Sequence, residues 1–160
     1  MTQAFNLTGT SITPKKGQYA LLPNVPSEHN VEFYSSTSTD TLPAGAFVKL
    51  YASSTNTDHP IASVCAVTDV PYGMVVYDAL KPSYKVGERF KIAKTGDEVW
   101  CVAESAVDVG DKLQFTTDWT VDDTTTATYA FCGVALTKAT AKGDLVKVQL
   151  NFNLGVQAAG

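Results

Sequence analysis

Three features of the 160-residue sequence predict a mainly β fold. The fold class is a compact β-barrel or β-sandwich, with internally duplicated β units and an extended N-terminal arm. The first feature is composition: Thr and Val together supply 38 residues and Glu only 5. That choice favours pleated, half-buried strands and removes the usual helix surface. The second is a series of short alternating apolar runs separated by turn residues, with no apolar period of 3.6 sustained over three turns. The third is a recurring phrase: Val86-Gly87-Glu88-Arg89-Phe90-Lys91-Ile92, Val109-Gly110-Asp111-Lys112-Leu113-Gln114-Phe115 and Lys142-Gly143-Asp144-Leu145-Val146-Lys147-Val148.

Residues 1–42 read differently from the rest. They are rich in Ser, Thr, Asn and Pro, with scattered apolar residues that include Phe5, Leu7, Ile12, Tyr19, Leu21, Val31 and Phe33. Proline breaks and polarity argue against regular strands there, and the apolar content argues against a mere linker. The expectation is an extended arm packed on its own domain or on a partner. From residue 43 to 153 a β-barrel domain follows, and 154–160 form a C-terminal tail. Strands are expected near 45–52, 61–67, 72–78, 88–94, 97–103, 111–116, 128–138 and 144–152. Thr95-Gly96-Asp97 reads as a hairpin turn between two of them. The stretch "DALKPSYK" tolerates about one helical turn before Pro82.

The order of landmarks suggests a duplication. Gly45–Leu50, Tyr72–Ala79 and Lys85–Ile92 recur as Gly110–Phe115, Cys132–Ala139 and Lys142–Val148, at offsets of 65, 60 and, counted from Gly87 to Gly143, 56. A β unit that cannot bury its face alone gains a partner by doubling.

Bulk properties exclude several functions. The net charge is −4 and no Lys/Arg cluster stands out, so a nucleic-acid partner is not expected. No run approaches the roughly 20 apolar residues needed to span a bilayer, so no membrane partner is expected. The N-terminal residues lack the charged-then-apolar pattern of a signal peptide, which points to a protein used without export. Cys65, Cys101 and Cys132 form no CxxC pair and sit among apolar neighbours, as buried small hydrophobes do.

The repeated phrase has a structural explanation. Gly supplies a positive φ, the acidic residue binds turn amides, and the following residues alternate into the core. A phosphate loop would need more glycines and a following helix. A biotinyl or lipoyl carrier would need a lysine at an exposed hairpin tip between acidic or Met and apolar residues, which neither "KTGDE" nor "AESAV" provides. His29 lies in the arm. Asp58 and His59 are loop neighbours, and a Cys101–His59 dyad has no support from spacing. Asp118, Asp122 and Asp123 lack calcium-loop spacing. The sequence therefore predicts no enzyme, no cofactor and no metal. Trp119, Tyr72, Tyr77 and Tyr84 are candidate surface anchors or caps on the core.

The ordered set "AGAFVKL … YGMVVYDA … VGERFKIAKTGDEVWCVAESAVDVGDKLQF … FCGVALTKATAKGDLVKVQL" resembles the tailed-phage capsid decoration proteins, or structural cement proteins. The resemblance spans about Ala44 to Leu150. It implies a compact or tulip-like β domain, present as a homotrimer, that binds the major capsid protein on the outside of an expanded head and clamps its subunits. It places the protein on the virion surface, assembled in the host cytoplasm. Phe5, Leu7, Ile12, Tyr19 and Leu21 of the arm are the expected capsid contacts, adding a strand to an exposed edge. Deleting residues 1–40 is expected to leave a folded trimer that no longer binds heads. The alternative is a head-fibre base, or a carbohydrate or host-attachment module.

Overall fold

The computed structural model describes residues 13–21 and 30–159. The eight expected runs all form strands, somewhat shorter than their apolar stretches: β4 (Phe47–Leu50), β5 (Ile61–Val64), β6 (Gly73–Val75), β8 (Arg89–Ala93), β9 (Glu98–Val102), β10 (Lys112–Phe115), β12 (Phe131–Ala135) and β13 (Leu145–Leu150). Five short strands accompany them: β1 (Tyr19–Leu21), β2 (Asn30–Phe33), β3 (Thr41–Pro43), β7 (Ser83–Lys85) and β11 (Val121–Asp122). "DALKPSYK" forms a turn and β7 rather than a helical turn.

Two units share one plan. The first is a closed barrel in the order β2-β5-β4-β6-β8. The second lies in a six-stranded sheet ordered β1-β9-β13-β12-β10-β11. Neighbour for neighbour, β2, β8, β6, β4 and β5 correspond to β9, β13, β12, β10 and β11. The parallel pairing of β2 with β5 that closes the barrel has its counterpart in the parallel bridge Ala103–Val121. The β3–β7 ribbon has its counterpart in the antiparallel bridge Val107–Ala139. The duplication read in the sequence is thus a duplication of topology.

The repeated phrase works identically at each occurrence. Gly87, Gly110 and Gly143 take φ of 86°, 93° and 92°, a region that costs other residues about 1–2 kcal/mol. The acidic residue then accepts the amide three positions back: Lys85 to Glu88 Oε2 at 2.7 Å, Asp108 to Asp111 Oδ2 at 2.8 Å, Ala141 to Asp144 Oδ2 at 3.0 Å. Lys94 and Asp97 repeat the device at 2.8 Å. That last turn is not a hairpin, however. β8 belongs to the barrel and β9 to the other sheet, and Gly96 donates across to the Leu150 carbonyl at 2.8 Å. A tight turn fixes a change of direction and leaves the choice of partner strand to burial.

Two cores follow from strand alternation. Val31, Phe33, Val48, Ala62, Val75, Phe90 and Ile92 fill the first barrel. Their neighbours Phe47, Met74 and Ala93 point the other way, into the second core with Val99, Cys101, Phe115, Cys132 and Val148. One wall of the barrel is therefore buried on both faces, and Phe47 stacks on Phe115 with ring centroids 4.6 Å apart. At the matching crossing in the second unit, a Cβ on Gly133 would lie 2.3 Å from the Gln149 carbonyl oxygen, so only glycine fits without backbone movement.

The 1–42 stretch supplies more regular structure than its polarity suggests. β2 is a barrel strand, with Val31 and Phe33 fully buried. β3 buries Leu42 against Tyr84. Burying each such side chain contributes about 1.5–3 kcal/mol, which outweighs a weak local propensity. The barrel therefore starts before residue 43, and removing residues 1–40 would open it. The tail is also paired in part: Val156 bridges Ala130, and Phe131 donates to the Gly155 carbonyl at 2.9 Å.

Candidate functional site

Residues 13–21 are built into the junction of the two units. Gly17 donates to the Trp100 carbonyl of β9 at 2.8 Å and accepts from Tyr77 at 2.9 Å. The stem of Lys16 lies over Gly45, and its ammonium reaches the Asp118 carbonyl at 3.1 Å. Burial holds the Lys16 pKa below its ordinary value, against the opposing pull of Cys101 and Asp118. Tyr19 pairs with Val99 and packs, half-buried, on the second core. Leu21 pairs with Glu98 at the sheet edge. Of the five expected contact residues, these two root the front of the chain on its own domain. Phe5, Leu7 and Ile12 lie outside the described residues.

The candidate anchors mostly serve packing. Tyr84 is buried beside Phe90 at 5.6 Å. Trp119, in a loop with φ 60°, stacks on Phe115 at 6.4 Å and touches both cores. Tyr72 carries the Lys94 ammonium 3.4 Å from its ring centroid. Tyr77 stays half-exposed above Gly17.

The titratable groups divide in the same way. His59 is not a solvated loop side chain: its Nε2 lies 2.5 Å from Glu32 Oε2 and its Nδ1 3.0 Å from Arg89 Nη2. Arg89 can only donate, so Nδ1 accepts and Nε2 carries the proton toward Glu32. His59 thereby ties its loop to β2 and β8 rather than engaging Asp58 or Cys101. All three cysteines are buried and free, and burial pushes Cys65 and Cys101 up to about 12 and Cys132 well above its ordinary value. Buried protonated thiols are poor nucleophiles. Asp122 is occupied by its turn: burial raises its pKa, but bonds from Ser105 Oγ at 2.6 Å and the Thr124 amide at 3.2 Å outweigh it. Among the described residues no three His, Cys, Asp or Glu side chains converge as a metal site.

The family described as structural cement protein (E217 gp24/Pam3 gp6) matches residues 9–151. The chain belongs to the structural cement protein family. Membership makes it a phage capsid structural protein, and the match includes all thirteen strands of the described residues. Among solved structures, one described as the head fiber gp8.5 N base in bacteriophage phi29 aligns with a TM-score of 0.52 and 18% identity. That alignment covers 82% of this chain and 96% of the other, a likeness of fold. The search of curated proteins found no match. The family role was legible in the ordered Gly-Asp phrases. The junction built by Lys16 and Gly17 was not, because "TPKKGQ" carries no periodicity that would mark it as part of the core.

Proposed function

We propose that this family member binds the outer surface of an expanded phage head as a homotrimer and clamps neighbouring copies of the major capsid protein. The family match over 9–151 carries the reading. The body is rigidly paired, and residues 13–21 fix the front of the chain at the junction of its two units. Residues 1–12, with Phe5, Leu7 and Ile12, are the proposed capsid anchor, and Tyr19 and Leu21 are its root.

The proposed mechanism is mass action. A ligand that binds only the mature lattice stabilises it by RT ln(1 + [L]/Kd), about 2.7 kcal/mol per site at a hundredfold excess over Kd. Three linked arms raise the effective concentration for each later contact. The test combines light scattering after size exclusion with co-sedimentation on purified expanded heads. A trimer that binds heads, and loses binding on deletion of residues 1–12, supports the reading. A monomer that ignores heads refutes it, and a truncated trimer that binds normally removes the anchor from residues 1–12.

The fold shared with the phi29 head-fibre base favours a second reading, in which the same trimer seats a fibre on the head. Extra density projecting above the trimer on native virions would support it.

A further inference from the structure

The duplication allows one unit to serve as a control for the other. Phe33 accepts from Gly87 and Ala103 accepts from Gly143, so these two positions correspond. Gly45 and Gly110 correspond in the same way, donating to Val75 and Ala135. Phe33 and Gly45 are 12 positions apart, Ala103 and Gly110 only 7, so the first unit carries five extra residues after β2. Ala62, parallel partner of Phe33, lies 17 positions beyond Gly45. Val121, parallel partner of Ala103, lies 11 beyond Gly110, so six extra residues follow β4. The second unit makes the same pairings without either insertion, so the fold does not require them.

Both insertions emerge at one place, each following a tyrosine whose counterpart in the second unit, Glu104 for Tyr34 and Thr116 for Tyr51, makes the same backbone bond. Tyr34 donates to the Ala62 carbonyl at 2.9 Å and Tyr51 to the Ile61 carbonyl at 2.8 Å, which pins them on either side of β5. Their rings stack there with centroids 4.1 Å apart. Tyr34, Tyr51, Ser35, Ser36, Asp40 and Ser63 line an open cavity of about 580 Å³.

The loops are held in shape. Ser35 Oγ donates to Asp40 Oδ2 at 2.5 Å, and Asp40 donates its amide to the Thr37 carbonyl at 3.1 Å. Asn56 Oδ1 accepts from the amides of Asp58 and His59 at 2.8 and 3.2 Å, and His59 is tied to Glu32 and Arg89. Their sequences, "YSSTSTD" and "YASSTNTDHP", hold Tyr, Ser, Thr, Asn and Asp but no Lys or Arg. Tyrosine beside small hydroxyl and amide side chains, on loops of a rigid β body, is the composition of adaptable binding loops. Concave sites of this size bind small ligands through an aromatic surface and a few placed polar groups.

We infer that the Tyr34–Tyr51 cavity is a binding site for neutral carbohydrate, with a pyranose ring lying against the tyrosine pair and its hydroxyls bonded by Asp40, Ser36 and Ser63. Neither loop carries Lys or Arg, and the one histidine, His59, is engaged by Glu32 and Arg89, which disfavours anionic sugars and phosphates. The inference does not rest on the proposed capsid attachment through residues 1–12.

The test is the full-length protein on an array of neutral and uronic- or sialic-acid-containing oligosaccharides, followed by calorimetry with the best neutral glycan. Tyr51→Ala and Asp40→Asn should each weaken binding at least tenfold. A variant with residues 35–39 excised, shortening the first loop to the length in the second unit, should keep the wild-type circular dichroism spectrum and lose glycan binding. The inference fails if the wild-type protein binds no glycan on the array, if only acidic glycans bind, or if binding survives Tyr51→Ala. It also fails if the excised variant stays folded and loses head binding instead, which would make the cavity a capsid contact.

Discussion

Phe47 tests whether the two units form one cooperative structure. Its strand belongs to the first barrel, but its side chain lies in the second core, fully buried, stacked on Phe115 and edge-on to Phe152 at 6.3 Å. Phe→Ala in a core costs about 3–5 kcal/mol, and the two lost aromatic pairs place this site in the upper part of that range. For a chain of this length each kcal/mol shifts Tm by about 2–4 °C, so Phe47→Ala should lower Tm by roughly 8–20 °C. The assay is differential scanning calorimetry beside tryptophan fluorescence, since Trp119 stacks on Phe115. Both signals should shift together in a single transition. A fall in Tm of under about 2 °C, or separate transitions for the two units in the wild-type protein, would refute the shared core.

Other expectations follow from single contacts. Gly133→Ala should destabilise more than Gly87→Ala by urea denaturation, because Gly87 meets only the cost of its positive φ with open space around it, whereas a Cβ at Gly133 is driven into a carbonyl oxygen. Ellman's reagent at pH 8 should label no thiol in the native protein and all three after unfolding, since burial keeps the cysteines protonated. Hydrogen bonds from Thr140, in its side chain and amide, and from the Ala141 amide hold the Asp144 carboxyl below its ordinary 3.8. A carboxyl with a depressed folded pKa contributes stability above its unfolded pKa and loses it as pH falls through the folded one. Stability should therefore decline as pH drops below about 4, and Asp144→Asn should flatten that decline; an unchanged acid limb would contradict the turn's role.

Much of the fold is readable from alternation and turn residues, because both are local. "VGDKLQF" states its own turn, its own carboxylate cap and its own inward-facing Leu and Phe, and β10 forms where it predicts. The thrice-written phrase also revealed the duplication, since equivalent turns need equivalent residues. β2 and β7 were hidden because "NVEF" and "SYK" are three or four residues long. Their stability comes from burying Val31, Phe33 and Tyr84 against strands distant in sequence.

The candidate sites show the same division. Sequence identified the residues with anchoring chemistry, Trp119 and Tyr84 among them, but the structure turns those two inward and brings Tyr34 to Tyr51 instead. Nothing in "FYSS" or "LYAS" announces that encounter, since it depends on β5 pairing parallel with β2 and antiparallel with β4. The sequence by itself determined the β class, the repeated unit and the acidic turns, because those rest on interactions spanning a few residues. Only the tertiary structure decided which strands share a sheet, that Phe47 joins the two cores, and which tyrosines meet at the surface. Those outcomes are set by burial and by long-range pairing, which no short stretch of chain contains.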